Sequence, residues 1–286
     1  MTTSSSFIPI LAASVACILG GTMAVAMRFL VTSIDPITLA LIRIGTGVLC
    51  LLPAAFLTSG RPFALRDMLP MTLLGVTFFA LFTPGFGTAL KYTTATRAAT
   101  EMALAPIVTV LFASVLGRET LTRNKVFGAL LSFLGVAFVV SDPVTSNPLP
   151  HSSLIGDLIV LGLVGLIAVF NTLSRPYLKK YPPIRVTTYF MACGWTALCC
   201  ASIAADLVVP LPDLTSFQWL VLLYLCTVVS AIPSFLYHWA LGLNPISAAF
   251  FGVILLSESM TWNLFWGLVL VLAGIFLSTL RISTDG

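Results

Sequence analysis

The stretch that decides the fold occurs twice. Residues 116–138 read LGRETLTRNKVFGALLSFLGVAF, and residues 255–277 read LLSESMTWNLFWGLVLVLAGIFL. Glu119, Thr122, Gly128 and Gly135 of the first fall on Glu258, Thr261, Gly267 and Gly274 of the second, each pair 139 positions apart. A constant offset through one glutamate and two glycines marks an internal duplication. Weaker matches extend it upstream: Ala89 and Leu90 fall on Ala240 and Leu241 at an offset of 151, and Pro36 on Pro183 at 147. The halves are read as residues 1–145 and 150–286.

The medium that this duplication occupies follows from composition. The chain has 286 residues, 58% hydrophobic and 8% charged, with a mean hydropathy of +1.07. A soluble domain carries roughly 25% charged residues. This chain cannot cover a globule with charge, so its solvent is a bilayer. A span needs about 20 apolar residues to cross a hydrocarbon core of about 30 Å. Ten runs are candidates: 8–29, 36–58, 69–90, 95–116, 123–141, 154–174, 184–206, 216–239, 242–257 and 262–280. The first follows MTTSSSFIPI without an A-x-A cleavage site and is read as a retained helix. The six cysteines fall inside apolar runs without a C-x-x-C and read as buried free thiols.

With the N-terminus in the cytoplasm, ten cations fall on that side: Arg61, Arg66, Arg118, Arg123, Lys125, Arg175, Lys179, Lys180, Arg185 and Arg281. Three fall opposite, Arg28, Lys91 and Arg97. This asymmetry obeys the positive-inside rule and places both termini in the cytoplasm. The net charge of +4 is therefore a topology signal rather than a sign of nucleic acid. Five spans per half is an odd number, so the halves cross in opposite senses. Inverted repeats of this kind are a transporter architecture.

One region breaks the repeat. The offset falls from 151 at Leu241 to 139 at Pro245, so the second half lacks about twelve residues that would match KYTTATRAATEMA. Either the stretch is truly absent or the sequence omits it. A ninth span without it is too short to cross, so a chain break is expected near Gly242–Asn244.

The doubled blocks, PITLALIR at the second span and IGDLIVLGLVGLIAVFNTLSR at the start of the second half together resemble the drug/metabolite transporter superfamily. The form is the ten-helix EamA type, and within it the chain resembles YddG-type amino acid exporters. The resemblance covers almost the whole chain. It implies an all-α integral membrane fold of two inverted five-helix repeats, in a bacterial inner (plasma) membrane. It also implies a central cavity lined by helices 1, 3, 4, 6, 8 and 9.

Candidate contacts come from polar or aromatic residues inside spans. Glu101 lies in the fourth span, and an intramembrane carboxylate is costly enough to suggest function. It could meet a substrate ammonium or carry a proton; the bland alternative is an i,i+4 ion pair with Arg97. Phe78, Phe82 and Phe86 recur every four residues, as a stacking stripe for an apolar substrate or as ordinary packing. Pro84 and Gly85 beside them suggest a broken, cavity-lining helix. Asn171 and Ser174 on the sixth span, and Ser230, Ser234, Tyr237 and His238 on the eighth, supply polar groups that prefer the bundle interior. Arg43 reads as a snorkelling or packing cation rather than an anion anchor. Glu119 and Glu258 read as structural carboxylates before helix starts. Pro106 and Pro245 match across the repeats and read as hinges.

No phosphate-binding loop, dinucleotide fingerprint, H-E-x-x-H or G-x-S-x-G occurs. The expectation is a secondary transporter, without metal or cofactor, exporting amino acids with aromatic or other apolar side chains by alternating access. Its partners are a small-molecule substrate and lipid, and it works as a monomer. Efflux of another metabolite or a cationic drug is the alternative within the class. A membrane-embedded enzyme or structural protein is the alternative outside it.

Overall fold

A computed structural model describes residues 23–140, 153–207, 210–228, 266, 269–270 and 273–274. The described residues contain helices and no strand. Residues 23–30 are helical (α1). They are followed by α2 (Pro36–Leu57), α3 (Leu65–Tyr92), α4 (Ala95–Met102), α5 (Ala105–Val115), α6 (Arg123–Val140), α7 (Ser153–Lys180), α8 (Pro183–Ala204) and α9 (Ser216–Leu223). A π-helical turn, Tyr224–Val228, continues α9. Five segments are long and apolar enough to cross a membrane: α2, α3, the α4–α5 stretch Arg97–Val115, α7 and α8.

Helix starts are written in the local sequence. Asp35 caps α2 by accepting from Ile37 N at 2.9 Å, with Pro36 in the first turn. Thr94 caps α4 by accepting from Arg97 N, and Thr215 forms a capping box with Gln218 on α9. At the end of α5 Gly117 turns with φ +66, and the next amide, Arg118 N, reaches back to Ala113 O at 2.9 Å. Such a left-handed C-terminal turn suits glycine.

Two expected helix breaks come out differently. Pro84 sits inside an unbroken α3, its turn steadied by Thr88 Oγ1 donating to Pro84 O at 2.8 Å. The fourth span is the one that breaks, between Met102 and Ala105. Pro106 has no N–H to offer the carbonyl of residue 102. The chain responds with a tighter turn, in which Leu104 N donates to Glu101 O at 3.0 Å.

α3 is the central element, packed against both α7 and α8, while α7 also carries α4 and α5 and α8 also carries α2. Trp195 of α8 donates from its indole to Leu41 O on α2 at 3.0 Å. Four apolar clusters fill these interfaces. The outward faces are apolar too, with Leu49, Phe56, Leu73, Leu81 and Leu158 exposed. An aqueous surface would not tolerate so broad an apolar face, and lipid covers it at no cost. The cysteines follow this face pattern rather than the expected burial: Cys226 is buried, but Cys50 and Cys200 face outward.

The glycines of the duplicated block serve close packing. A Cβ on Gly274 would lie 2.3 Å from Gly128 O on α6. Gly274 therefore approaches α6 backbone to backbone. Small residues at such a crossing allow van der Waals contact that larger ones forbid. The expected break near Gly242–Asn244 lies outside the described residues.

Candidate functional site

The end of α3, the start of α4 and the start of α7 meet in one buried polar cluster. Arg97 of α4 places Nη2 2.5 Å from Asp157 Oδ2, with both side chains almost wholly buried. Thr93, just past α3, donates from Oγ1 to Asp157 Oδ1 at 2.5 Å. Gly156 makes this approach possible. A Cβ there would lie 2.8 Å from Thr93 N and 3.0 Å from Ala89 O.

Glu101 stands one helical turn beyond Arg97 and is fully buried. Among the described residues no donor reaches either of its carboxyl oxygens, and the Asp157 carboxyl lies within hydrogen-bonding reach of them. The two charged groups that act on it are Asp157 and Arg97. Arg97 forms its ion pair with Asp157 of the other half while also acting on Glu101 through its charge. Asp157 was missed in the sequence, although an aspartate in the uncharged run LIGDLIVLGLVGL carries the same signal that singled out Glu101.

An aromatic stack approaches the cluster along α3. Phe78 stacks on Phe82 at 5.0 Å and on Phe170 of α7 at 4.1 Å. Phe82 stacks in turn on Phe86 at 5.9 Å. The stripe is real, but its members differ. Phe86 is 1% exposed and belongs to the core, whereas Phe78 and Phe82 are only partly buried. Phe82 and Met102 pack against the cluster that includes Phe86 and Ala98, so the lower rings and the helix of Glu101 share one apolar environment. Phe170 was not singled out from the sequence; its spacing in α7 gave no separate signal.

The remaining candidates divide. Ser174 is buried and donates to Asn171 O at 3.5 Å, a weak intrahelical bond. Asn171 is half-buried on the same helix. Arg43 turns inward, its guanidinium against the thioethers of Met27 at 3.2 Å and Met23 at 2.9 Å, as a packing cation. Glu119 pairs with Lys125 at 2.8 Å before α6, a structural role. Ser230, Ser234, Tyr237, His238, Pro245 and Glu258 lie outside the described residues.

A second polar contact ties the halves at the opposite ends of α3 and α7. Asp67 accepts from Tyr181 Oη at 2.7 Å and pairs with Lys180, and Ala64 N donates to Tyr181 Oη at 3.0 Å. The two halves are therefore joined by polar contacts at both ends of one helix pair.

The described apolar spans thus surround an interior carboxyl, an ion pair between the halves and an aromatic stack. Residues 7–141 match the EamA-like transporter family. An uncharacterized transporter of Bacillus subtilis (strain 168), YyaM, is 25% identical over 78% of this chain and 73% of its own. Another uncharacterized transporter, from Archaeoglobus fulgidus, is 26% identical over 59% of this chain and 58% of its own. A solved crystal structure shares the fold at a TM-score of 0.66, with 18% identity over 95% of this chain and 96% of that one. The described residues include five helical segments long and apolar enough to cross a membrane, and residues 7–141 are similar to EamA-like transporters. These relatives are named as uncharacterized transporters.

Proposed function

We propose that this chain is a transporter of the EamA-like family and that it exports amino acids with aromatic or other apolar side chains, by alternating access through a central cavity between two inverted five-helix repeats. The observation that carries the reading is Glu101, a fully buried carboxyl without a donor, sharing an apolar environment with a phenylalanine stack. A carboxylate in such a place is complementary to an ammonium, and Phe78 and Phe82 to an apolar or aromatic side chain. Asn171 and Ser174 offer polar groups further along α7, beyond the Phe170 that stacks on Phe78, and Ser234, Tyr237 and His238 complete the proposed set.

Both termini lie in the cytoplasm of a bacterial cell in this reading, with the Asp67 contact at the cytoplasmic end and the Asp157 contact at the outer end. Alternating access then requires the two contacts to open in turn, with Pro106 and Pro245 as hinges. Ten helices with an internal repeat enclose a path within one chain, so the working unit is a monomer.

The test is uptake of labelled phenylalanine into proteoliposomes preloaded with unlabelled phenylalanine, at equal pH on both sides. Saturable counterflow is expected, with competition by other apolar amino acids. Absence of counterflow sinks the amino acid reading. The same vesicles then test an organic cation, the substrate class that a carboxylate beside aromatic rings also suits.

A further inference from the structure

Pro176 lies inside α7 and has no N–H to offer the carbonyl of Thr172, and its ring crowds that carbonyl. Thr172 is 1% exposed, so the carbonyl needs a donor from elsewhere. It finds one in the other half of the chain. Arg118, between α5 and α6, donates from Nη1 to Thr172 O at 2.8 Å. The next residue, Glu119, lies 4.0 Å from Nη1 of Arg175 and is itself held by Lys125 at 2.8 Å. Two consecutive residues of the duplicated block thus grip α7 just before its proline. The second copy of the block carries Ser257 in place of Arg118, so the guanidinium is not part of the repeat.

α7 is held differently on the two sides of this point. Before it, the packing is tight and apolar. Leu163 lies 3.2 Å from where a Cβ on Gly85 would stand, and Phe170 has Phe78 at 4.1 Å and Phe190 at 5.3 Å. Beyond Pro176, polar contacts hold the tip. Exposed Lys180 pairs with Asp67, and Tyr181 donates to the same carboxylate at 2.7 Å. Just past the tip, Arg185 donates to Gly60 O at 3.0 Å and to Arg61 O at 3.3 Å. Water replaces such bonds at modest net cost, whereas the stacked rings have no such substitute.

We propose that α7 bends between Thr172 and Pro176, and that Arg118 is the catch that keeps the arm beyond the bend, residues 177–181, down on α3. When Arg118 lets go, water takes both the guanidinium and the carbonyl, and the arm swings out with Tyr181. The residue touches no substrate and acts as a positioning residue through the Thr172 carbonyl. The role of this motion in transport rests on the alternating-access reading, in which the arm closes the cytoplasmic end. Pro176 then supplies a hinge that neither Pro106 nor Pro245 duplicates.

Hydrogen exchange of the full chain in proteoliposomes, read by mass spectrometry without substrate, tests the bend. Arg118→Met should speed exchange at residues 177–181 by about tenfold or more, the worth of a hydrogen bond from a charged donor. Residues 38–51 of α2 should not change. Pro176→Ala returns an N–H to the Thr172 carbonyl, so it should slow exchange at 177–181, and adding Arg118→Met to it should have little effect. The Pro176→Ala arm stands even if Arg118→Met folds poorly. No slowing in Pro176→Ala overturns the proposal. So does a speeding by Arg118→Met that spreads equally to α2 or persists undiminished beside Pro176→Ala.

Phenylalanine counterflow then reads the gate. In Pro176→Ala the rate at saturation should fall several-fold with KM unchanged, because a stiffened hinge slows the motion without touching the substrate. Wild-type rates in Pro176→Ala overturn the gating role. Absence of counterflow in the wild type sinks the amino acid reading, and the exchange pattern still decides whether Arg118 holds the bend.

Discussion

Replacing Arg97 with methionine tests the charge logic of the buried cluster. At 2.5 Å from Asp157, and with an effective dielectric of about 20, the pair attracts by about 7 kcal/mol. Burial of the two ions offsets this by several kcal/mol each. The pair is therefore near balance as a whole, but not when half of it is taken away. Arg97→Met leaves Asp157 buried with Thr93 as its remaining partner among the contacts described, and the expected loss is about 3–5 kcal/mol. Arg97→Met combined with Asp157→Asn removes both charges, keeps most of the bulk and returns to within about 1–2 kcal/mol of the wild type. The assay is denaturant unfolding of the full chain in detergent micelles, followed by helical circular dichroism. A double variant as unstable as the single one would show that the loss comes from packing, and would refute the account of an unpaired buried charge.

Other substitutions probe the elements around this cluster. Gly156→Val forces a Cβ into the space 2.8 Å from Thr93 N; about 1–3 kcal/mol of stability should be lost as α7 moves off α3, and thermal unfolding in micelles reads this directly. Pro106→Ala returns an N–H to the broken turn between α4 and α5; hydrogen exchange near residue 102 should slow, and exchange flux should fall if the break is a hinge. Phe78→Leu keeps the apolar bulk but removes stacking worth about 0.5–1.5 kcal/mol; KM for phenylalanine should rise several-fold and that for leucine should change little.

Much of the fold was legible because a bilayer imposes one rule on every span. Apolar runs of the required length sit where α2, α3, α7 and α8 are found, and Pro36 and Pro183 mark two of the starts. What the runs do not encode is where a helix yields. Pro84 and Pro106 look alike in sequence. The former lies within α3, braced against α7 and α8, while the latter stands in the first turn of α5, directly after the break. The site was half legible. An intramembrane charge announces itself, which found Glu101, but the identity of its neighbours depends on which helices meet. Arg97 is four residues from Glu101 and still spends its charge on Asp157, 60 residues away. Among the phenylalanines, period four gave the shared face of α3, yet only packing separates the core ring of Phe86 from the partly open rings of Phe78 and Phe82.

The central claim is that Glu101 is a working carboxyl at a substrate site, and it meets its most direct test in phenylalanine counterflow at equal pH by the wild type and by Glu101→Gln, reconstituted side by side. The account predicts exchange by the wild type and a loss of about tenfold or more in the variant, as expected when a charged hydrogen bond to an ammonium is removed, with unfolding of the variant in micelles unchanged or shifted to higher denaturant. Wild-type rates in folded Glu101→Gln would contradict it and return Glu101 to the scaffold.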